Sequence, residues 1–359
     1  MKRRAFLHLL GAACGGALAQ PDSPARHPLM TFPDASGAWR PVKTSADWNG
    51  RRSAILAAMQ TITGPLPGAE KRCPLDLQVR EEKDMGNYVR RAITYASEPG
   101  SRVPAYLLIP KRLLDTANVK GNAVLCLHPT DNAIGCNVVV GLGGKEHRQY
   151  AAELTERGFV TLAPAYPLLA DYQPDLAALG YVSGTMKAIW DNMRGLDLLD
   201  SLPFVRPGNY AAIGHSLGGH NSVYTAVFDE RIQAVVSSCG LDSFADYKGG
   251  DITGWTSTRY MPRLADYKGR SSETPFDFDE LLAILAPRPV MISAPLHDAN
   301  FRAASVDRIT TAARAVYSLY GAPDSLVVEH PDCEHDFPDP IREKAYAFLK
   351  AALTSTARA

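Results

Sequence analysis

Gly214-His215-Ser216-Leu217-Gly218-Gly219 constrains this chain more than any other segment. It follows a short apolar run, Tyr210-Ala211-Ala212-Ile213, and precedes a stretch with helical patterning. Gly-x-Ser-x-Gly between a strand and a helix predicts a sharp turn that holds its central serine in a strained backbone conformation. The glycines two before and two after the serine let neighbouring backbones approach closely. A serine held this way is a candidate nucleophile. The motif alone does not settle the matter, because a glycine-rich turn between strand and helix is also an ordinary connection. The rest of the chain has to supply a base, an acid and oxyanion donors in a workable order.

The patterning around the motif argues for an α/β protein. A helix begins near Thr44-Ser45-Ala46-Asp47, with Trp48, Ile55, Leu56, Met59 and Ile62 on one face, and stops before Gly64-Pro65-Leu66-Pro67-Gly68. Strand-like runs follow at Leu75 to Arg80, Tyr88 to Tyr95 and Val103 to Ile109. The turn residues Glu98-Pro99-Gly100-Ser101 predict a hairpin between the last two. From residue 122 short apolar runs alternate with helical stretches: strands at Ala123 to Leu127, Val160 to Ala163, Ala211 to Ile213, Ala234 to Ser238, Val290 to Ala294 and Leu326 to Glu329, and helices at His147 to Arg157, Thr185 to Leu202, Ala303 to Tyr320 and Pro340 to Leu353. This grammar predicts a mostly parallel sheet of about eight strands covered by helices on both faces. Two connections are long: His128 to about Lys145, and Gly240 to about Glu280 with Phe244, Tyr247, Trp255, Tyr260, Phe276 and Phe278. The second follows the sixth strand of such a sheet. It is expected either to cap a site or to pack a small core of its own.

Composition narrows the partners. The 359 residues include 38 basic and 38 acidic side chains, a balance that favours neither nucleic acid nor an anionic membrane surface. No apolar run reaches the length of a bilayer span. Lys2-Arg3-Arg4, a weakly apolar stretch from Phe6 to Leu18, and Ala17-Leu18-Ala19 before Gln20 read as a twin-arginine-like signal peptide over residues 1–19. The expected location is therefore periplasmic or extracellular. The expected organisation is a lead-in and packing helix over 20–74, then one domain over 75–359 with its insertion at about 240–280. Cleavage after Ala19 leaves Cys73, Cys126, Cys136, Cys239 and Cys333, an odd number. Cys126 and Cys239 lie in apolar runs and are expected as buried thiols. No cysteine or histidine spacing suggests a metal, and no motif suggests a cofactor.

A serine hydroxyl needs a histidine to take its proton and a carboxylate to orient that histidine. His335 lies after the last expected strand, in Asp332-Cys333-Glu334-His335-Asp336, where it can reach the serine. His330 and His297 are weaker rivals. Asp298 follows the penultimate strand and is the preferred acid; Asp242, one strand earlier, is the alternative. Glu334 and Asp336 are expected as solvated loop charges. The Leu217 N–H at the start of a helix is the first oxyanion donor. Pro129 has no N–H, so the second is expected from Thr130 or Asp131. His128 is expected to be structural, His215 to point away from the reacting carbon, and His220 to pack beneath the loops.

These residues carry a resemblance. Gly64-Pro65-Leu66-Pro67, Arg102-Val103-Pro104-Ala105-Tyr106-Leu107-Leu108-Ile109-Pro110, the serine turn and the segments around Asp298 and His335 resemble the α/β-hydrolase superfamily, in particular secreted acetyl xylan esterase-like serine hydrolases. The resemblance implies a Ser216–Asp298–His335 triad acting on short acyl esters of carbohydrate, without a cofactor. The Val-Pro-Ala-Tyr-Leu run is also similar to prolyl-oligopeptidase-type peptidases, whose propeller this chain is too short to hold. A non-catalytic binding protein on the same scaffold is the alternative of another class.

Overall fold

The computed structural model describes residues 26–116 and 118–355. The expected signal peptide lies outside them. Helix α1 (Ser45–Thr63) starts at a capping box: the Thr44 hydroxyl accepts from the Asp47 N–H, and the Asp47 carboxylate accepts from the Thr44 N–H. A short ribbon, β1 (Thr31–Pro33) with β2 (Trp39–Pro41), precedes it. Trp48, Ile55, Met59 and Ile62 are buried in the main core, as the helical spacing predicts.

The remaining elements run β3 (Gln78–Asp84), β4 (Tyr88–Glu98), β5 (Ser101–Pro110), α2 (Lys111–Asp115), β6 (Gly121–Leu127), α3 (Tyr150–Glu156), β7 (Val160–Pro164), α4 (Gly184–Ser201), β8 (Val205–His215), α5 (Leu217–Phe228), β9 (Ile232–Ser238), α6 (Phe278–Leu285), β10 (Val290–Ser293), α7 (Ala303–Leu319), β11 (Leu326–Glu329) and α8 (Asp339–Ser355). Nine strands make one sheet in the order β11-β10-β9-β8-β6-β7-β5-β4-β3. From β7 to β11 every neighbouring pair is parallel; β5, β4 and β3 add on antiparallel.

The strands alternate their side chains between two cores. Leu125, Ala212, Val235 and Ile292 face one core with α1 and α4 to α7; Val124, Ile213, Val236 and Met291 face the other with α3 and α8. The sheet has nine strands rather than about eight, so the insertion follows its seventh strand, β9, and not the sixth. The helix expected from His147 begins at Tyr150, because His147 takes a left-handed backbone (φ 62°) and hydrogen-bonds Asp336 at 2.7 Å.

Burial of charge ties α4 to the β4 end. Lys187 is fully buried; its ammonium bonds Ser97 at 3.0 Å, lies 3.2 Å from Glu98 and pairs with Asp191. Tyr181 donates to Glu98 and Tyr172 to Asp191, each at 2.8 Å. Lys187→Met would leave both buried carboxylates short of their shared cation. We expect a loss of about 3–5 kcal/mol, read as a lower urea midpoint at unchanged m.

Candidate active site

The β8–α5 turn bends as its glycines allow. Ser216 sits at φ 56°, ψ −119°, a left-handed value unusual for a residue with a side chain. Its N–H donates to the Ser238 carbonyl at 2.8 Å, and its carbonyl accepts from the Gly219 N–H at 2.9 Å, which locks the turn onto β9. A Cβ on Gly218 would lie 1.9 Å from the Leu127 carbonyl oxygen, and one on Gly214 would lie 2.2 Å from the Gly218 backbone. Gly218→Ala therefore has to push the turn off the end of β6. A displacement of about 1 Å at a reacting atom costs roughly 10²-fold. We expect at least that loss of kcat/KM, measured beside the circular dichroism spectrum.

Parallel strands end on one edge of the sheet, and the loops after them collect the other groups. Asp298, after β10, is buried. Its Oδ1 accepts from the N–H groups of Asn300 at 2.7 Å and Phe301 at 3.2 Å. Its Oδ2 lies 2.8 Å from Nδ1 of His335, in the loop after β11. This pairing separates Asp298 from Asp242. The Asp242 carboxylate accepts from the Arg302 N–H at 3.2 Å, leaves its other oxygen without a partner, and is pushed up by burial. The rival histidines are engaged elsewhere: His330 with the Ala294 carbonyl and Asp307, His297 with Asp332.

Asp336 departs from the expected solvated charge. It accepts from the buried Arg148 guanidinium at 2.6 Å and bonds His147, and Arg148 also donates to the His335 carbonyl at 3.3 Å. Arg148 so clamps the His335 loop to the long connection after β6. Sequence spacing could not show this pairing across 188 residues.

Two cavities meet at Ser216. The larger, about 240 Å³, has Thr130, Leu217, His220, Tyr247, Trp255 and Tyr260 in its wall. The smaller, about 140 Å³, is lined by Thr130, Asp131, Lys145, Arg148, His215 and His335. Thr130 reaches both, and its hydroxyl bonds that of Tyr260 at 2.9 Å. The Asp131 carboxylate turns back onto its own loop, accepting from the Ala133 and Ile134 N–H groups. Leu217 opens α5, where first-turn N–H groups have no partner within the helix. In the insertion after β9, Phe244 packs on Phe276 and Phe278 as part of the main core and not as a core of its own, while Tyr247, Trp255 and Tyr260 line the larger cavity.

Three further histidines lie near the serine turn with different surroundings. His128 is structural, as expected: its Nδ1 shares a 2.7 Å hydrogen bond with the Pro129 carbonyl, Nε2 accepts from the Tyr166 N–H, and burial lowers its pKa to about 4. His215 corrects its expectation. It lines the smaller cavity, with its ring 4.8 Å from that of His335, and burial holds it well below the ordinary histidine range. His220 does pack beneath the loops, but it also forms wall of the larger cavity. Its Nδ1 has no hydrogen-bond partner, and burial lowers its pKa to about 3. Trp255, 4.8 Å from the His220 ring, has an unpartnered Nε1, and Tyr224, 5.4 Å from it, an unpartnered hydroxyl. All five described cysteines are free thiols, with Cys126 and Cys239 buried as expected.

No family model matches the chain. A curated protein of Bacillus subtilis (strain 168), "Putative hydrolase YtaP", is 31% identical over 163 residues. That match covers 45% of this chain and spans only about half, 52%, of the relative. The 4-O-methyl-glucuronoyl methylesterase 1 of Wolfiporia cocos (strain MD-104) is 24% identical over 344 residues, covering 86% of this chain and 76% of the relative. Among solved structures, a glucuronoyl esterase from Solibacter usitatus superposes with a TM-score of 0.71 at 19% identity, over 93% of this chain and 100% of that one. At that identity the likeness speaks for architecture alone, and it agrees with the sheet order and the strand-to-helix serine turn: the chain has the α/β-hydrolase fold.

Proposed function

We propose that the protein is an exported serine hydrolase of carbohydrate esters, in which Ser216 attacks the ester carbonyl, His335 moves the proton and Asp298 orients the imidazole. The observation that carries this reading is the 2.8 Å contact between His335 Nδ1 and Asp298 Oδ2, beside a serine held at φ 56°. With the Nδ1 proton donated to Asp298, Nε2 is free to accept the Ser216 proton. The oxyanion then accepts from the Leu217 N–H and from the Thr130–Asp131 loop. His335 returns its proton to the departing alcohol, and water repeats the cycle on the acyl-enzyme.

The two cavities support a direction for the substrate. His335 lines the smaller one, so the alcohol that takes its proton leaves on that side and the acyl group occupies the larger one. His220 and Trp255 line the larger cavity with Nδ1 and Nε1 unpartnered; an acetyl group would leave them so, and unsatisfied buried groups of this kind carry a penalty of about 1–3 kcal/mol each. A sugar-acid acyl group brings hydroxyls to that region. The named substrate of the Wolfiporia cocos relative is of that chemistry. One observation favours the short acyl group instead: at about 240 Å³ the cavity is small, below the roughly 300–1,000 Å³ of ordinary ligand sites.

A panel decides between them. Wild type and Ser216→Ala are assayed on a methyl ester of glucuronic acid, an acetylated xylo-oligosaccharide and a fluorogenic dipeptide amide. We expect the uronate ester to be preferred by kcat/KM and the variant to be inactive. Preference for the acetyl ester would reverse the substrate assignment, and preference for the dipeptide would favour a peptidase. Equal activity in the variant would remove Ser216 from the mechanism. Export is part of the same proposal, checked by finding a mature chain that begins at Gln20 outside the cytoplasm.

A further inference from the structure

His215 ends β8, Cys239 follows β9, and His335 lies in the loop after β11. Their ligand atoms all fall within 4.8 Å of one another. Each is already oriented by a second group. His215 Nδ1 shares a 3.1 Å hydrogen bond with the Ser238 hydroxyl, and His335 Nδ1 is held by Asp298, so both rings keep Nε2 for another use. Cys239 Sγ lies 3.2 Å from the Asp336 carbonyl, on a residue held at φ 49°. A non-glycine residue kept in that left-handed region is set there by its surroundings. A carboxylate behind a metal-binding histidine is the usual outer-shell arrangement of zinc sites.

The chemistry of the set is specific. Two imidazoles and a thiolate suit a borderline-soft cation such as Zn²⁺, not Mg²⁺ or Ca²⁺. Zinc–ligand bonds of about 2.0–2.3 Å put tetrahedral neighbours roughly 3.3–3.8 Å apart, so the side chains have to close by about 1 Å. The smaller cavity, which His215, Ser216 and His335 all line, gives the ion a way in and room for a fourth ligand.

We propose that His215, Cys239 and His335 form an inhibitory soft-cation site, with Zn²⁺ the best-fitting ion. The Cys239 S–H bond breaks, its proton passes to solvent and the thiolate bonds the metal. His335 Nε2 gives its lone pair to the same ion and can no longer accept the Ser216 proton. Loss of activity on binding rests on the proposed role of His335; binding itself does not.

The test therefore has two readouts. Untagged wild-type protein is titrated with Co²⁺, followed by absorption, and then with Zn²⁺ as competitor. The expected result is one equivalent bound, with a thiolate-to-cobalt band that disappears in Cys239→Ser and on addition of Zn²⁺. In parallel, Zn²⁺ inhibits wild-type ester hydrolysis over the range in which it displaces cobalt. Cys239→Ser keeps its metal-free activity and needs at least about tenfold more Zn²⁺ for inhibition, the scale on which even outer-shell changes act. His215→Gln serves as the second ligand variant should Cys239→Ser fold poorly. No thiolate band, or equal Zn²⁺ sensitivity in a folded ligand variant, overturns the site. A cobalt band on a protein without esterase activity would keep the site and overturn the proposed function instead.

Discussion

Ser216→Ala is expected to lower kcat by about 10⁶-fold on any ester the protein hydrolyses, the scale seen when a triad serine is removed. The fold should not notice the change. Alanine meets the same left-handed strain at φ 56°, and the bonds that lock the turn run through the Ser216 backbone, not its hydroxyl. The urea midpoint should move by no more than about 0.5 kcal/mol in equivalent stability. Substrate binding should persist, because both cavities remain. KM for the uronate ester is expected to change far less than kcat.

Asp298→Asn is expected to cost about 10⁴-fold in kcat, with Asp242→Asn changing it by less than about tenfold. The difference follows from what each carboxylate touches. An asparagine at 298 can still accept from the Asn300 and Phe301 N–H groups, so the loop should hold its shape. Its amide nitrogen would then face His335 Nδ1, which has to give up its proton to avoid two donors meeting. The proton moves to Nε2, where the free lone pair is needed. Asp242 takes no part in this. It accepts from a backbone N–H at the start of α7, and burial already favours its neutral form, which asparagine imitates. The opposite ranking of the two variants would make Asp242 the acid.

The chain order Ser216, Asp298, His335 is legible because it depends on local signals. The serine turn is written in contiguous residues, and Asp298 and His335 follow short apolar strands whose ends share one edge of a parallel sheet. The edge strand β3 begins three residues later than the patterning predicts. It pairs on one side only, and its exposed Arg80-Glu81-Glu82-Lys83 carries no apolar alternation to fix the register. The Arg148–Asp336 clamp and the burial of Lys187 depend on long-range packing that side-chain spacing does not encode. His215 departs from its expected orientation for a related reason. It continues the alternation of Ala211 and Ile213 onto the α3–α8 face, where it meets Phe337 and His335, and its facing partners come from the far end of the chain. The larger cavity depends on the insertion, whose aromatics can be named from the sequence but not oriented.

The central claim is that Ser216, His335 and Asp298 work as one assembled unit. Reaction with a fluorophosphonate, followed by intact mass and peptide mapping, tests it without knowledge of the substrate. The account predicts a single adduct on Ser216 in wild type, none in Ser216→Ala, and labelling slowed by orders of magnitude in His335→Ala. Labelling at another residue, or an unlabelled wild type with its fold intact, would contradict it.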